Sequence, residues 1–270
     1  MWLAPGLCLV LTGILFANAA CTNPRVRSEW HELTSDQQSA FVAACKDLAA
    51  KPDSNQFTVA TQMSWHDFVV AHSDNVFWAH GNAEFYPFHR AMVWMFEEAI
   101  MATGRLPTGM GVPYFDWSVR SQTWASSNIF SAAAFGAPNS GDPDGCVLDG
   151  AFAKGRYNVA SAGSTTQNRN IMTGDLTCLR RAANKEATLD AKFLQQELSA
   201  SSYVQFTSQD PVNPSGDYSS NTYFDSFDFH GSGHIALGGN GADMSNPSIS
   251  PNDPIFWRES LVSLQWFVAY

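Results

Sequence analysis

Five of the seven histidines in this 270-residue chain fall into two groups with regular spacing. His72, His80 and His89 follow one another at intervals of eight and nine residues in AHSDNVFWAHGNAEFYPFHR. His230 and His234 lie four apart in FHGSGHIALGG, a spacing that places both rings on one face of a helix. Imidazole is the common ligand of Zn, Cu, Fe and Ni, so three clustered histidines plus an HxxxH pair point first to a metal. HxxxH also frames zinc proteases, but that chemistry needs a Glu directly after the first His, and Gly231 stands there. His31 and His66 read as ordinary polar residues. On a continuous helix His66, six residues before His72, would project about 120° away from it.

Those rings must be held by helices, and the pattern supplies them. Thr34-Ser35-Asp36-Gln37-Gln38 predicts a capped start to a helix running to about Ala50, stopped by Lys51-Pro52. A second helix is expected over residues 64–73. From about Pro87, residues Phe88, Met92, Met95, Phe96 and Ala99 recur at helical spacing until Thr103-Gly104. Residues 104–183 are rich in Gly, Ser, Asn and Pro and read as long surface loops. Helix is expected again over 185–199, then a loop over 210–220 and an aromatic segment, 223–229, running into His230. The chain contains no internal repeat and no dividing linker, so one mostly helical domain is expected.

Composition narrows the function. Twenty-five Asp and Glu against fifteen Lys and Arg leave a formal charge of −10, which argues against nucleic-acid binding and against a basic membrane-surface protein. Nineteen Phe, nine Trp and seven Tyr are enough for a sizeable core and exclude a disordered chain. Residues 7–16 (LCLVLTGILF) form an apolar run short of the ~20 that span a bilayer, followed by Ala17-Asn18-Ala19-Ala20. A signal peptide over 1–19 and a secreted mature chain over 20–270 are expected, with no membrane partner. Beyond Cys8, four cysteines remain for disulfides in an oxidising compartment. Of three possible pairings, sequence locality favours Cys21–Cys45 with Cys146–Cys178.

The motifs resemble a known family. His72, His80 and Phe85-Tyr86-Pro87-Phe88-His89-Arg90 are similar to the copper-A half of the tyrosinase and catechol oxidase family. Pro113-Tyr114-Phe115-Asp116-Trp117 resembles its Pro-Tyr-Trp-Asp-Trp segment. His230, His234, Gly238-Gly239 and Ser250-Pro251-Asn252-Asp253-Pro254-Ile255-Phe256-Trp257 resemble the copper-B half. The flavour is that of short secreted fungal members, and the likeness runs from Cys21 to Trp257. It implies a mainly α fold, an antiparallel four-helix bundle around a binuclear copper site, with long irregular loops. It also implies two copper ions, the first on His72, His80 and His89 and the second on His230 and His234, with dioxygen and a small phenol as partners.

Three departures bear on activity. The family's sixth ligand and the Asp four residues after it would fall at Ser260 and Leu264, so the second copper has two protein ligands and the last bundle helix is expected to be truncated. The resemblance stops abruptly between Trp257 and Arg258. A degenerate, non-catalytic metal-binding protein would explain this, and so would a truncated or mis-spliced gene model over 258–270; the sharp boundary favours the latter. Trp78 stands where some relatives join a cysteine to the second ligand, so no thioether is expected. Gly231 replaces the Asn that, with a Glu, orients a phenol-deprotonating water in family monooxygenases, and no Glu occurs over 211–229. Oxidation of diphenols to quinones is therefore expected over hydroxylation of monophenols.

Overall fold

The computed structural model describes residues 24–54, 57–80, 84–120, 122–159, 177–184, 195, 199, 229–239 and 241–258. The expected signal peptide, Cys21, nearly all of the 185–199 helix, the 210–220 loop, the aromatic segment before Phe229, Ser260 and Leu264 lie outside the described residues.

The α-helices with described bounds are α1 (Ser35–Ala49), α2 (Trp65–Asp74), α3 (Val76–Ala79), α4 (Phe85–Met101) and α5 (Phe229–Gly238). There is no β-strand among the described residues, only isolated bridges such as Val26 with Met110 and Glu29 with Tyr114. Two helix starts follow from side chains that replace missing backbone partners. Thr34 caps α1 by accepting from the Gln37 amide, while Gln37 Oε1 accepts from the Thr34 amide at 2.9 Å. Ser64 and Asp67 repeat the arrangement on α2, at 3.0 and 2.8 Å. The third expected helix begins at Phe85, two residues ahead of Pro87. Its first turn tolerates that proline because the missing N–H there has no partner within the helix. Gly104, at φ 69°, then turns the chain away in a conformation that side-chain-bearing residues resist.

The core is aromatic. Trp30, Trp65, Trp117, Trp124 and Trp257 are all at most 1% exposed. Trp257 stacks on Phe96 of α4, with ring centroids 3.9 Å apart and planes 4° from parallel. The Trp65 indole N–H of α2 donates to the Pro251 carbonyl at 3.1 Å, joining residues 186 positions apart.

Residues 104–159 depart from the expected surface loops. Val112, Phe115, Trp117, Trp124, Ile129, Phe135, Val147 and Phe152 are all buried, on short 3-10 turns and extended stretches that pack inward. Gly and Pro in this stretch mark turns, but turns do not decide exposure; the apolar side chains between them bury themselves against α1, α2 and α4.

Cys146 and Cys178 form the expected disulfide, with Cα atoms 5.5 Å apart. Cys45 corrects the other half of the pairing: it is a free thiol with no exposed surface, on the inward face of α1. Burial pushes that thiol up to about 12, with the Arg258 guanidinium pulling the other way. Nearness in sequence had favoured a Cys21 partner, whereas the helical register of α1 turns Cys45 into the core beside Phe41 and Leu48.

Candidate metal centre

Three separate pieces of chain bring the first histidine group together. His72 occupies the last turn of α2, His80 follows α3 in an extended conformation, and His89 lies in the first turns of α4. One ring nitrogen from each lies within 4.8 Å of the others. Ring centroids are separated by 5.1 Å for His72 and His80, 5.4 Å for His72 and His89, and 5.0 Å for His80 and His89. On α5, His230 and His234 point the same way, Nε2 to Nε2 at 3.2 Å. The two groups adjoin: the His89 and His230 rings are 6.3 Å apart.

Three of the five rings are oriented from behind. His80 Nδ1–H donates to the Val76 carbonyl at 2.8 Å, His89 Nδ1–H to Phe85 at 2.7 Å, and His234 Nδ1–H to Met244 at 2.6 Å. A ring whose Nδ1 carries the proton presents the lone pair of Nε2. The His89 Nε2 so presented lies only 3.3 Å from His72 Nε2. His72 Nδ1 has no hydrogen-bond partner among the described residues.

Burial and mutual crowding keep these rings neutral. Burial pulls His89 down to about 3, helped by His80, and His234 down to about 4. His72 and His230 are held well below the ordinary imidazole value by burial first and by their neighbouring histidines second. Neutral, inward-facing imidazoles fit a borderline cation such as copper or zinc, whose charge replaces the protons that the site rejects.

Two aromatic rings wall the site. Phe85 lies 4.3 Å from His89 and 5.0 Å from His230; Phe256 lies 5.2 Å from His72 and 5.9 Å from His234. Both fall inside the motifs, yet only the folded chain reveals them as the wall shared by both groups. The Met244 carbonyl left no trace in the sequence, since any residue has one.

The two spare histidines are engaged elsewhere. His31 lies 3.0 Å from Glu29 and 2.8 Å from Ser127 Oγ. His66 stacks on Tyr157 at 5.5 Å and meets the Asn158 carbonyl at 3.1 Å. Asp142, Asp144 and Cys146 also cluster, but the Cys146 sulfur is committed to its disulfide.

Known proteins resemble this chain on the same ground. Residues 62–258 match the family model described as the common central domain of tyrosinase. "Tyrosinase ustQ" of Aspergillus flavus is 35% identical over 150 residues, which cover 53% of this chain and 40% of that protein. The chain thus spans well under half of that relative's length. "N-acetyl-6-hydroxytryptophan oxidase ivoB" of Emericella nidulans is 27% identical over 283 residues, covering 90% of this chain and 74% of that protein. Among solved structures, a polyphenol oxidase from Thermothelomyces thermophila has the same fold with a TM-score of 0.70 at 21% identity, covering 90% of this chain and 69% of that one. A functional unit of octopus hemocyanin follows at 0.58 and 17% identity, covering 90% and 52%. Matched over most of its length by the family model, and folded as these solved structures are, the chain belongs to the tyrosinase family.

Proposed function

We propose that this chain is a secreted copper-dependent oxidoreductase that converts diphenols to quinones, with His72, His80 and His89 holding one copper and His230 and His234 the other. Two diphenols, each giving up two electrons and two protons, reduce one dioxygen to two waters. The copper pair, when bound, supplies the redox centre through which those electrons pass. The observation that carries this reading is the convergence of neutral ring nitrogens, paired at 3.3 Å in one group and 3.2 Å in the other.

The chain's own residues perform the remaining tasks. The Val76, Phe85 and Met244 carbonyls hold the Nδ1 protons of His80, His89 and His234, keeping each Nε2 free to donate its lone pair. Phe85 and Phe256 pack against rings of both groups and add to the burial that disfavours their protonation. Gly231 offers no side chain to orient a water against a phenol hydroxyl. That supports diphenols, which lose their protons more readily once both hydroxyls approach a metal, over monophenols. Copper-loaded protein is expected to contain two coppers per chain and to consume oxygen with catechol but not with phenol. One copper per chain and no oxygen uptake would sink the proposal.

A non-catalytic metal-binding protein is the second reading. It is favoured by Ser260 at the place of the sixth ligand and by the engagement of His31 and His66 elsewhere. It predicts metal uptake that is lost in His80→Ala, with no catechol turnover in the parent. The transcript across the codons for Trp257 and Arg258 separates these readings further: a frame with His at position 260 favours the enzyme.

A further inference from the structure

His234 is oriented differently from its counterparts. His80 and His89 donate Nδ1–H to carbonyls four residues back in their own local chain, Val76 and Phe85. His234 donates to Met244, ten residues on, in the 3-10 turn Asp243–Ser245. Its aim therefore depends on whatever holds that turn against α5.

Asp243 begins the turn and has no exposed surface. One carboxylate oxygen accepts from Arg180 Nε at 3.4 Å and the other from Asn252 Nδ2 at 3.4 Å. Its amide donates to the Arg180 carbonyl at 3.3 Å. Residues 177–184 thereby become a brace. Arg181 forks onto Asp253 at 2.7 and 2.9 Å and caps the Phe135 and Gly136 carbonyls at 3.1 and 2.7 Å. The Ala182 and Asn184 amides donate to Leu237 and Ala236 at the end of α5, at 3.3 and 2.8 Å. The fit leaves no slack: a Cβ at Gly238 would lie 2.2 Å from the Ser245 amide nitrogen, and one at Gly239 2.1 Å from the Ala182 carbonyl oxygen.

We propose that Asp243 is a positioning residue for His234: by tying the Met244 turn to Arg180 and Asn252, it sets the carbonyl that pins the His234 Nδ1 proton and aims Nε2 at the second metal. The inference rests on reading His230 and His234 as a ligand pair. The carbonyls that orient His80 and His89 belong to Val76 and Phe85 and lie outside this brace, so the loss of Asp243 is expected to fall on the second group first. Groups that orient a metal-bound histidine from behind change affinity by about 10- to 100-fold when removed.

The test uses the full chain, first metal-free and then titrated with copper(II). Burial pushes the Asp243 carboxyl up to about 7 against the pull of Arg180, so a neutral replacement suits the site and Asp243→Asn is the mild variant. It keeps an acceptor for Arg180 but sets an amide group against Asn252. The double variant Asp243→Asn/Asn252→Asp restores that bond with its polarity reversed. Nitrogen-15 shifts of the His234 ring report its tautomer in metal-free protein. The parent and the double variant are expected to hold the Nδ1–H form, and Asp243→Asn a mixture. Copper titration is expected to show the second equivalent weakened about 10- to 100-fold in Asp243→Asn, the first unchanged, and recovery in the double variant. An unchanged tautomer and unchanged second equivalent in Asp243→Asn would overturn the inference alone, provided His234→Ala loses that equivalent. Parallel weakening of both equivalents would also overturn it, by assigning Asp243 a general structural role. A parent that takes one equivalent, unaffected by His234→Ala, would overturn both the ligand reading and the inference.

Discussion

His72 at the end of α2 and His89 at the start of α4 face each other Nε2 to Nε2 at 3.3 Å, although 17 residues separate them in the chain. Two nitrogens so placed can share a proton or a metal ion, and burial lowers the affinity of both rings for the proton.

Removing one of the pair tests that arrangement. Alanine is the best helix former, so His89→Ala preserves α4 while deleting one donor. Copper affinity at the first group is expected to fall by at least the 10- to 100-fold that outer-shell changes produce. Equilibrium dialysis checks it, with the second group as internal control. Unaltered uptake of the first equivalent would remove His89 from the ligand set.

The metal-free protein is expected to lose stability in acid. Histidines in the unfolded chain protonate near pH 6.5, whereas His89 and His234 in the folded chain resist until about 3 and 4. As pH falls below about 6.5 the unfolded state gains protons that the folded state refuses. Stability then drops by about 1.4 kcal/mol per pH unit for each such group, until the folded pKa is reached. Urea midpoints in the presence of a chelator should be lower at pH 5 than at pH 7.5. Equal midpoints would mean that these rings are not held neutral by the fold.

Arg258 is expected to weaken the protein. It is fully buried, and none of its three side-chain nitrogens has a hydrogen-bond partner among the described residues. Its guanidinium lies 4.2, 4.4 and 4.6 Å from the rings of Phe135, Phe41 and Trp30, and burial pulls its pKa down to about 9. Cation–π attraction recovers part of the lost hydration, about 2 kcal/mol when desolvated. Apolar replacements of buried charged clusters elsewhere stabilise by about 1–4 kcal/mol, so Arg258→Leu should raise the urea midpoint by a comparable free energy. A lowered midpoint would show that the aromatic cage is built for a cation.

The two kinds of cysteine should separate under alkylation. Cys45 is expected to resist iodoacetamide in the folded protein and to react in denaturant without reductant. Cys146 and Cys178 should react only after reduction, which costs about 3–4 kcal/mol of stability for a loop of this length. Mass spectrometry of labelled peptides reads both, and labelling of Cys45 that requires reduction would restore the disulfide that sequence locality suggested.

Much of the site was legible because it is written locally. Helical spacing of Phe88, Met92, Met95 and Phe96, the capping segment at Thr34, and the four-residue interval from His230 to His234 each depend on neighbours within one or two turns. The family likeness was legible for the same reason: its motifs are contiguous stretches. By itself the sequence determined the histidine groups, the helices that carry them and the absence of a histidine at position 260. Tertiary structure alone decided that Cys45 is free, that residues 104–159 supply core, that Arg258 lies among three aromatic rings, and that the Met244 carbonyl meets His234 beside the Arg180–Asp243 contact. Those outcomes depend on side chains that meet across 63 residues for Arg180 with Asp243 and 186 for Trp65 with Pro251, and no local pattern encodes which distant partner a buried group will find.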